Sequence, residues 1–259
     1  MNIIVLNSGS NGNAVYVESP VTGAAVLLDC GISRKQIELR LKQHGRFLDS
    51  VRAVFVTHEH ADHVRGLPVT TKLYRMPTFL TEATWRKMWK HRPHKGHRFI
   101  GRDARVTVED ISVEAFSKHH DAADPVFFVV EISGVRFLYA TDLGEHSEDL
   151  ARLLGDVDAA LLESNYDEEM LENGSYPPDL KIRIRSTHGH LSNLQAMDLV
   201  ASHANGRLHT LILGHLSENN NTPEVVGREV ERLFARRGEF RPRIVVASRY
   251  EVGDLLSIP

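Results

Sequence analysis

The stretch from Thr57 to His63 reads T-H-E-H-A-D-H and follows directly on the apolar run Val51, Ala53, Val54, Phe55, Val56. Such a run is a buried strand, and it delivers His58, His60, Asp62 and His63 just past its C-terminal end. Neutral imidazole and carboxylate are the ligand set of zinc and similar divalent ions. The spacing H-x-H-x-D-H is too tight for one helical face, where ligands recur three or four residues apart. It predicts a loop that folds around metal, with His58 and His60 directed at one ion and Asp62 and His63 at a second. The competing explanation is a chance polar run in a surface turn. Four metal-ligand side chains this close together speak against it.

A chain of 259 residues with 42% hydrophobic and 25% charged content is long enough to bury a core without staples. The single cysteine, Cys30, excludes an internal disulfide and suits a reducing, cytoplasmic setting. No apolar stretch approaches the ~20 residues of a membrane span. The opening Met1-Asn2-Ile3-Ile4-Val5-Leu6 reads as a strand and not as a signal peptide. With 34 acidic against 31 basic residues, the net charge is −3. A whole-molecule basic field for nucleic acid is therefore absent, and any grip on a polyanion must be local.

Strand-like and helical runs alternate along the chain. Ile3 to Leu6, Ala14 to Glu18, Ala24 to Asp29 and Val51 to Thr57 read as strands, with a turn-forming hexapeptide, Ser8 to Asn13, after the first. Ser33 opens a helix that Gly45 closes. Pro77 to Leu80 reads as a strand and Thr81 to His91 as a helix. Ile111 to Ser117, Val126 to Ser133 and Val135 to Thr141 are further strands, the last two joined by a hairpin at Ser133-Gly134. Ala159 to Glu163, Thr210 to Leu213 and Ile244 to Ala247 complete the strands. Ser192 opens a helix with Gln195 as capping partner, and Thr222-Pro223 opens another that ends at Gly238. A strand-rich first half and an αβ-alternating second half predict two sheets face to face with helices outside, in one domain spanning 1–259.

A two-metal site needs more ligands than one loop supplies. His120, Asp142 and His215 each sit just past an apolar strand, the recurring address of active-site groups. Singly, each is equally a turn-former, cap or satisfied histidine. His119 leaves a one-residue ambiguity beside His120.

Taken in order, Asp29, His58-x-His60-x-Asp62-His63, His120, Asp142 and His215 resemble the metallo-β-lactamase fold superfamily. The stretches Ser8 to Asn13, His120 to Pro125, Gly189 to Asn193 and His215 to Asn220 are similar to its WalJ (YycJ) branch of bacterial intracellular phosphodiesterases, linked to 5′-to-3′ exonuclease action on DNA. The resemblance implies a four-layer αββα sandwich. It implies two divalent ions, zinc or manganese, one held by His58, His60 and His120, the other by Asp62, His63 and His215, with Asp142 bridging. Asp62 counts among the catalytic groups as well. Asp29 becomes a supporting carboxylate that fixes the tautomer of a ligand imidazole. Histidine at position 60, where oxygen-reducing relatives carry glutamate, favours hydrolysis over redox chemistry.

Beyond the ligands, Gly189-His190-Leu191-Ser192-Asn193 opens a helix whose N–H groups would suit an anion. His190 is expected to touch phosphate or to protonate a leaving alkoxide. Glu163 resembles a glutamate that pairs with such a histidine. Ser192 and Asn193 join the expected phosphate contacts. So do Lys181, Arg183 and Arg185, which alternate on a strand-like run. The basic stretch Trp85 to Arg98 carries two tryptophans. It reads either as a surface for single-stranded nucleic acid or as an amphipathic helix that buries Trp85, Met88 and Trp89. The function these features point to is a metal-dependent phosphodiesterase acting on nucleic acid, DNA foremost. The same centre would also serve an RNA nuclease, a small-molecule phosphodiesterase or a lactonase.

Overall fold

The structure is a computed structural model describing residues 1–259. The chain divides into two compact units, Met1–Ser117 with Ala122–Val135 and Ser248–Pro259, and Lys118–Asp121 with Arg136–Ala247.

The first unit contains β1 (Asn2–Asn7), β2 (Ala14–Glu18), β3 (Ala25–Leu28), α1 (Arg34–Gln43), β4 (Val51–Phe55), α2 (Ala61–Val64), α3 (Leu67–Tyr74), β5 (Thr78–Leu80), α4 (Glu82–Lys87), β6 (His97–Phe99), β7 (Arg105–Val108), β8 (Ile111–Ser117) and β9 (Val126–Ile132). A terminal strand, Leu256–Ser257, and then β1 to β6 in numerical order form a seven-stranded sheet. The terminal strand, β1, β2 and β3 pair antiparallel, whereas β3 to β6 run parallel. The change of sense follows from the connections, because a parallel neighbour requires a crossover and α1 supplies it between β3 and β4. In β4 every residue except Arg52 is buried, as its apolar run demands. Phe55 stacks on Phe79 at 4.8 Å and meets Phe128 edge-on at 5.8 Å, which fixes the strand that feeds the histidine loop. β7, β8 and β9 form an antiparallel meander in which Ile111, Val113 and Ala115 alternate inward.

The second unit contains β10 (Val135–Ala140), α5 (Glu148–Leu154), β11 (Ala159–Glu163), α6 (Glu168–Asn173), α7 (Pro178–Arg185), α8 (Asn193–His203), β12 (Thr210–Gly214), α9 (Pro223–Arg237) and β13 (Arg243–Val246). Its four strands pair parallel in numerical order. Every residue of β11 and β12 is buried, so both read as continuous apolar runs rather than alternating ones. No helix of the chain is long and apolar enough to cross a membrane.

Local signals set several boundaries as expected. Ser33 caps α1 by accepting from the Gln36 amide, and Gly45 follows its end at φ 64°. Ser192 and Gln195 close a reciprocal capping box on α8. Thr222 caps α9, Pro223 enters its first turn, and Gly238 ends it. Two expectations fail. Lys181, Arg183 and Arg185 lie on helix α7 and not on a strand. Their period-two alternation is overridden by Pro178 in the first turn, and no residue of α7 is buried, so the alternating Ile side chains mark no sheet face. The helix expected over Thr81 to His91 ends at Lys87, and Trp89 is exposed rather than buried.

Candidate metal centre

The first unit builds its donor set on loops knitted by backbone hydrogen bonds. Asn13 N–H donates to the Asp62 carbonyl at 2.7 Å, Gly31 N–H to the Asn13 carbonyl at 2.8 Å, and Cys30 N–H to the His63 carbonyl at 2.8 Å. Gly31 is required here, since a Cβ at that position would lie 1.6 Å from the Asp62 carbonyl oxygen. Asp29 leaves β3 at φ 59°, a conformation sparsely populated by residues other than glycine. The turn aims its buried carboxylate at the histidine loop. Asp29 accepts from the Thr57 amide at 2.8 Å and from the Thr57 hydroxyl, and its Oδ2 lies 2.7 Å from His63 Nδ1.

These contacts fix tautomers. An imidazole whose Nδ1–H is held by a carboxylate presents its Nε2 lone pair to a metal. That places the ligand atom of His63 at Nε2, 3.4 Å from Asp62 Oδ2. His58 Nδ1 contacts the Thr57 hydroxyl at 3.0 Å, while His58 Nε2 and His60 Nδ1 come within 3.0 Å of each other. Two ring nitrogens converging at that distance fit a shared cation. His58 and His63 are buried, with ring centroids 4.1 Å apart.

The second unit supplies the other set. Asp142, Glu163, His190 and His215 each offer one donor atom, and all four lie within 4.8 Å of one another. Asp142 and His215 both take φ 56°, so each strand end turns sharply where it carries a donor. His120 is buried, with Nδ1 3.1 Å from the Gly189 carbonyl and Nε2 3.8 Å from Asp142 Oδ1. His119 is exposed and pairs with Glu145, which separates the two neighbours. Burial pushes the His120 imidazole down to about 4, outweighing the upward pull of the Asp142 charge. At neutral pH it is therefore the neutral form a metal requires.

Glu163 ties this set together. It is fully buried, and its Oε1 lies 2.8 Å from His190 Nδ1 and 2.8 Å from His215 Nδ1. Its Oε2 accepts from the Leu143 amide at 2.6 Å and the Leu191 amide at 3.2 Å. Burial alone would raise this carboxyl. The charge and hydrogen bond of His190, with those of His215, outweigh burial and bring it to about 2. One carboxylate thus orients both His190, expected to handle a proton, and His215, expected to hold a metal. Its second role was not foreseen.

Some expected phosphate contacts are occupied by the protein itself. Asn193 is buried, accepts from Ser164 and donates to Asn221. Ser192 caps α8 and donates to Glu168. The first amides of α8 are also satisfied, Ser192 N–H by Gln195, Asn193 N–H by Tyr166 and Gln195 N–H by Ser192. These three amides are therefore engaged within the protein. On α7, Arg183 pairs with Asp121, Arg185 with Glu172 at 2.5 Å, and Lys181 donates to the Glu172 carbonyl. Among the sequence candidates, His190 is the one with a half-exposed ring beside the donors.

Sequence reasoning assigned no role to four residues that support the donors. Asn13 Nδ2 lies 3.0 Å from His63 Nε2 and donates to Asp62 at 3.2 Å. Thr57 links Asp29 to His58. Asn165 donates to the His215 carbonyl at 2.7 Å. Buried Lys118 donates to the Thr141 carbonyl at 2.7 Å, next to Asp142. Asn13 and Thr57 lay inside motifs already singled out. Asn165 and Lys118 carried no signal beyond being polar next to strands.

A family model described as "Beta-lactamase superfamily domain" matches residues 24–215. The chain is 35% identical over 238 residues to a protein named exodeoxyribonuclease YycJ from Bacillus anthracis, covering 90% of this chain and 89% of the relative. Among solved structures, the metallo-β-lactamase fold protein YhfI from Bacillus subtilis matches with a TM-score of 0.73 at 14% identity, covering 98% of this chain and 99% of that one. Zn2+-bound PqqB from Methylobacterium extorquens matches with a TM-score of 0.72 at 19% identity, covering 98% and 100%. The αββα sandwich expected from the sequence is the fold these likenesses share with it, and its His and Asp clusters are able to hold metal ions. The chain belongs to the metallo-β-lactamase fold superfamily, in its WalJ (YycJ)-like branch.

Proposed function

We propose that this chain is a dinuclear-metal-dependent phosphodiesterase acting as a 5′-to-3′ DNA exonuclease, with residues 1–259 working as one catalytic domain. His58, His60 and His120 would hold one ion, and Asp62, His63 and His215 the other, with Asp142 between them. Bound there, zinc or manganese would supply hydroxide at neutral pH and neutralise phosphoryl charge. The exodeoxyribonuclease names of relatives that match most of the chain support DNA as the substrate. The reading places the chain in the cytoplasm, which the single cysteine suits.

The observation that carries the reading is the 2.8 Å contact between Glu163 Oε1 and His190 Nδ1, beside Asp142. Phosphodiester cleavage expels an alkoxide, which needs a proton. With Nδ1–H held by Glu163, the ring of His190 is oriented to give that proton from Nε2. Asp29 holds His63 in its ligand tautomer, and the Gly189 carbonyl does the same for His120.

The test is digestion of 5′- and 3′-end-labelled DNA and RNA with added zinc or manganese. Wild-type protein should release mononucleotides from DNA. His60→Ala and Asp142→Ala should lose at least ~1000-fold in rate while keeping the wild-type circular dichroism spectrum. Turnover of a small phosphodiester with no cleavage of any polymer would replace the nuclease reading with a small-molecule one.

A further inference from the structure

The segment from Trp85 to Phe99 is the part of the surface that the catalytic reading leaves unused. It holds Arg86, Lys87, Lys90, Arg92, Lys95 and Arg98, with no acidic residue from Trp85 to Arg102, in a chain whose net charge is −3. The amphipathic-helix account would bury both tryptophans and leave only the cations in water. Instead α4 stops at Lys87, only Met88 of the three apolar side chains Trp85, Met88 and Trp89 is buried, and Trp89 stands 73% exposed. Trp85 rests half-buried against the core and stacks on His97, with ring centroids 4.8 Å apart and planes at 22°. Phe99 is 51% exposed, 5.5 Å from His97 and 6.1 Å from Trp85. Cations lie on these rings. The Arg92 guanidinium is 4.1 Å from the Trp85 centroid, and Lys90 Nζ is 4.9 Å from that of Trp89.

The sheet fixes where this surface lies within its unit. β6 is the edge strand, and all three of its residues are exposed. It runs parallel to β5, and β5 to β4, with Phe55, Phe79 and Arg98 in register. The C-terminal ends of β4 and β6 therefore emerge on the same sheet edge. One leads to the loop from Thr57 to His63, the other ends at Phe99. Two strand spacings separate them, about 10 Å.

Resting on the nuclease reading above, we propose that the surface from Trp85 to Phe99 is a docking track for single-stranded DNA. Trp89 and Phe99 offer open ring faces to bases, and Lys90, Arg92, Lys95 and Arg98 take the backbone phosphates. Aromatic faces interleaved with cations are the means by which proteins bind single strands without reading sequence. Its place on the ligand-bearing edge of the sheet suits a strand of which one end is being degraded.

The test uses full-length protein in excess chelator, which stops turnover, and fluorescence anisotropy with labelled oligothymidylate across a salt series. Trp89→Ala and Phe99→Ala should each weaken binding by about 10-fold or more with the salt slope unchanged. Lys90→Glu and Arg98→Glu should each lower the slope of log K against log salt by about 0.7. All four positions are exposed, and melting curves check that the variants fold. Ring variants that bind the oligonucleotide like wild type would overturn the proposal. So would loss of binding to phosphatidylserine vesicles with oligonucleotide affinity intact, which marks a membrane-surface patch instead. Wild-type digestion of end-labelled DNA, measured separately, distinguishes the two readings. Digestion with unchanged variant affinities removes only the track. Tight, ring-dependent binding without digestion removes only the nuclease reading.

Discussion

Glu163 is the residue on which the second donor set turns. A single buried carboxylate faces His190 and His215 at 2.8 Å each while two backbone amides hold it in place. Glu163→Gln keeps the shape and removes the charge. It should weaken metal affinity by about 10- to 100-fold through His215. It should also lower kcat, because His190 loses the carboxylate that orients its Nδ1–H. Metal titration and the rate at saturating metal separate these two losses. The carboxyl also contributes to stability. Its folded-state value, about 2, lies below its ordinary one, so its contribution is complete above about 4.5 and is lost as pH falls toward 2. At this scale the candidate donors were legible because imidazole and carboxylate side chains stood directly after apolar runs. The sharing of Glu163 between two histidines was not, since pairwise motif reading supplies each histidine with its own partner.

At the scale of elements, the site depends on how tightly loops approach one another. The turn after β3 and the loop after β4 meet at Gly31, where the Asp62 carbonyl occupies the space of a side chain. Gly31→Ala should therefore displace Asp62 and His63. It should cost about 3 kcal/mol or more of stability, and metal affinity should fall even where the fold survives. Chemical denaturation and a metal titration on the same variant read the two effects. Strong local rules made several elements legible. The boundaries of α1, α8 and α9 follow their caps. Helix α7 mimics a strand in sequence because L-K-I-R-I-R alternates, although no neighbouring strand pairs with it and Pro178 favours a helix start. Helices α2 and α3 carry weak sequence signals, because the first is filled by closely spaced donors and mixed Pro-Val-Thr-Thr composition weakens the helical propensity of the second. The three-residue strand β6 carries no buried residue, so no apolar pattern marked it.

For the molecule as a whole, the sequence reached the αββα class through the order of ligand positions along the chain. Hydrophobic periodicity alone indicated only two sheets with outer helices. The order is informative because the donors follow several different strands, four of them β4 and the rest β8, β10, β11 and β12 or the loops after them, so the same order returns where the same topology does. What stayed illegible was the surface. Ion pairs such as Arg183–Asp121 and Arg185–Glu172 arise between segments far apart in sequence, and they neutralise cations that looked available for phosphate. The exposed rings near β6 became distinguishable from core aromatics only once burial was known. The proposed function stands on a metal pair that these donors would hold. The most direct measurement is titration of metal-free protein with zinc or manganese while the rate of end-labelled DNA digestion is followed. The expected result is no activity without metal and a plateau at about two equivalents per chain. Undiminished digestion in excess chelator, or a metal-saturated protein that leaves DNA intact, would contradict it.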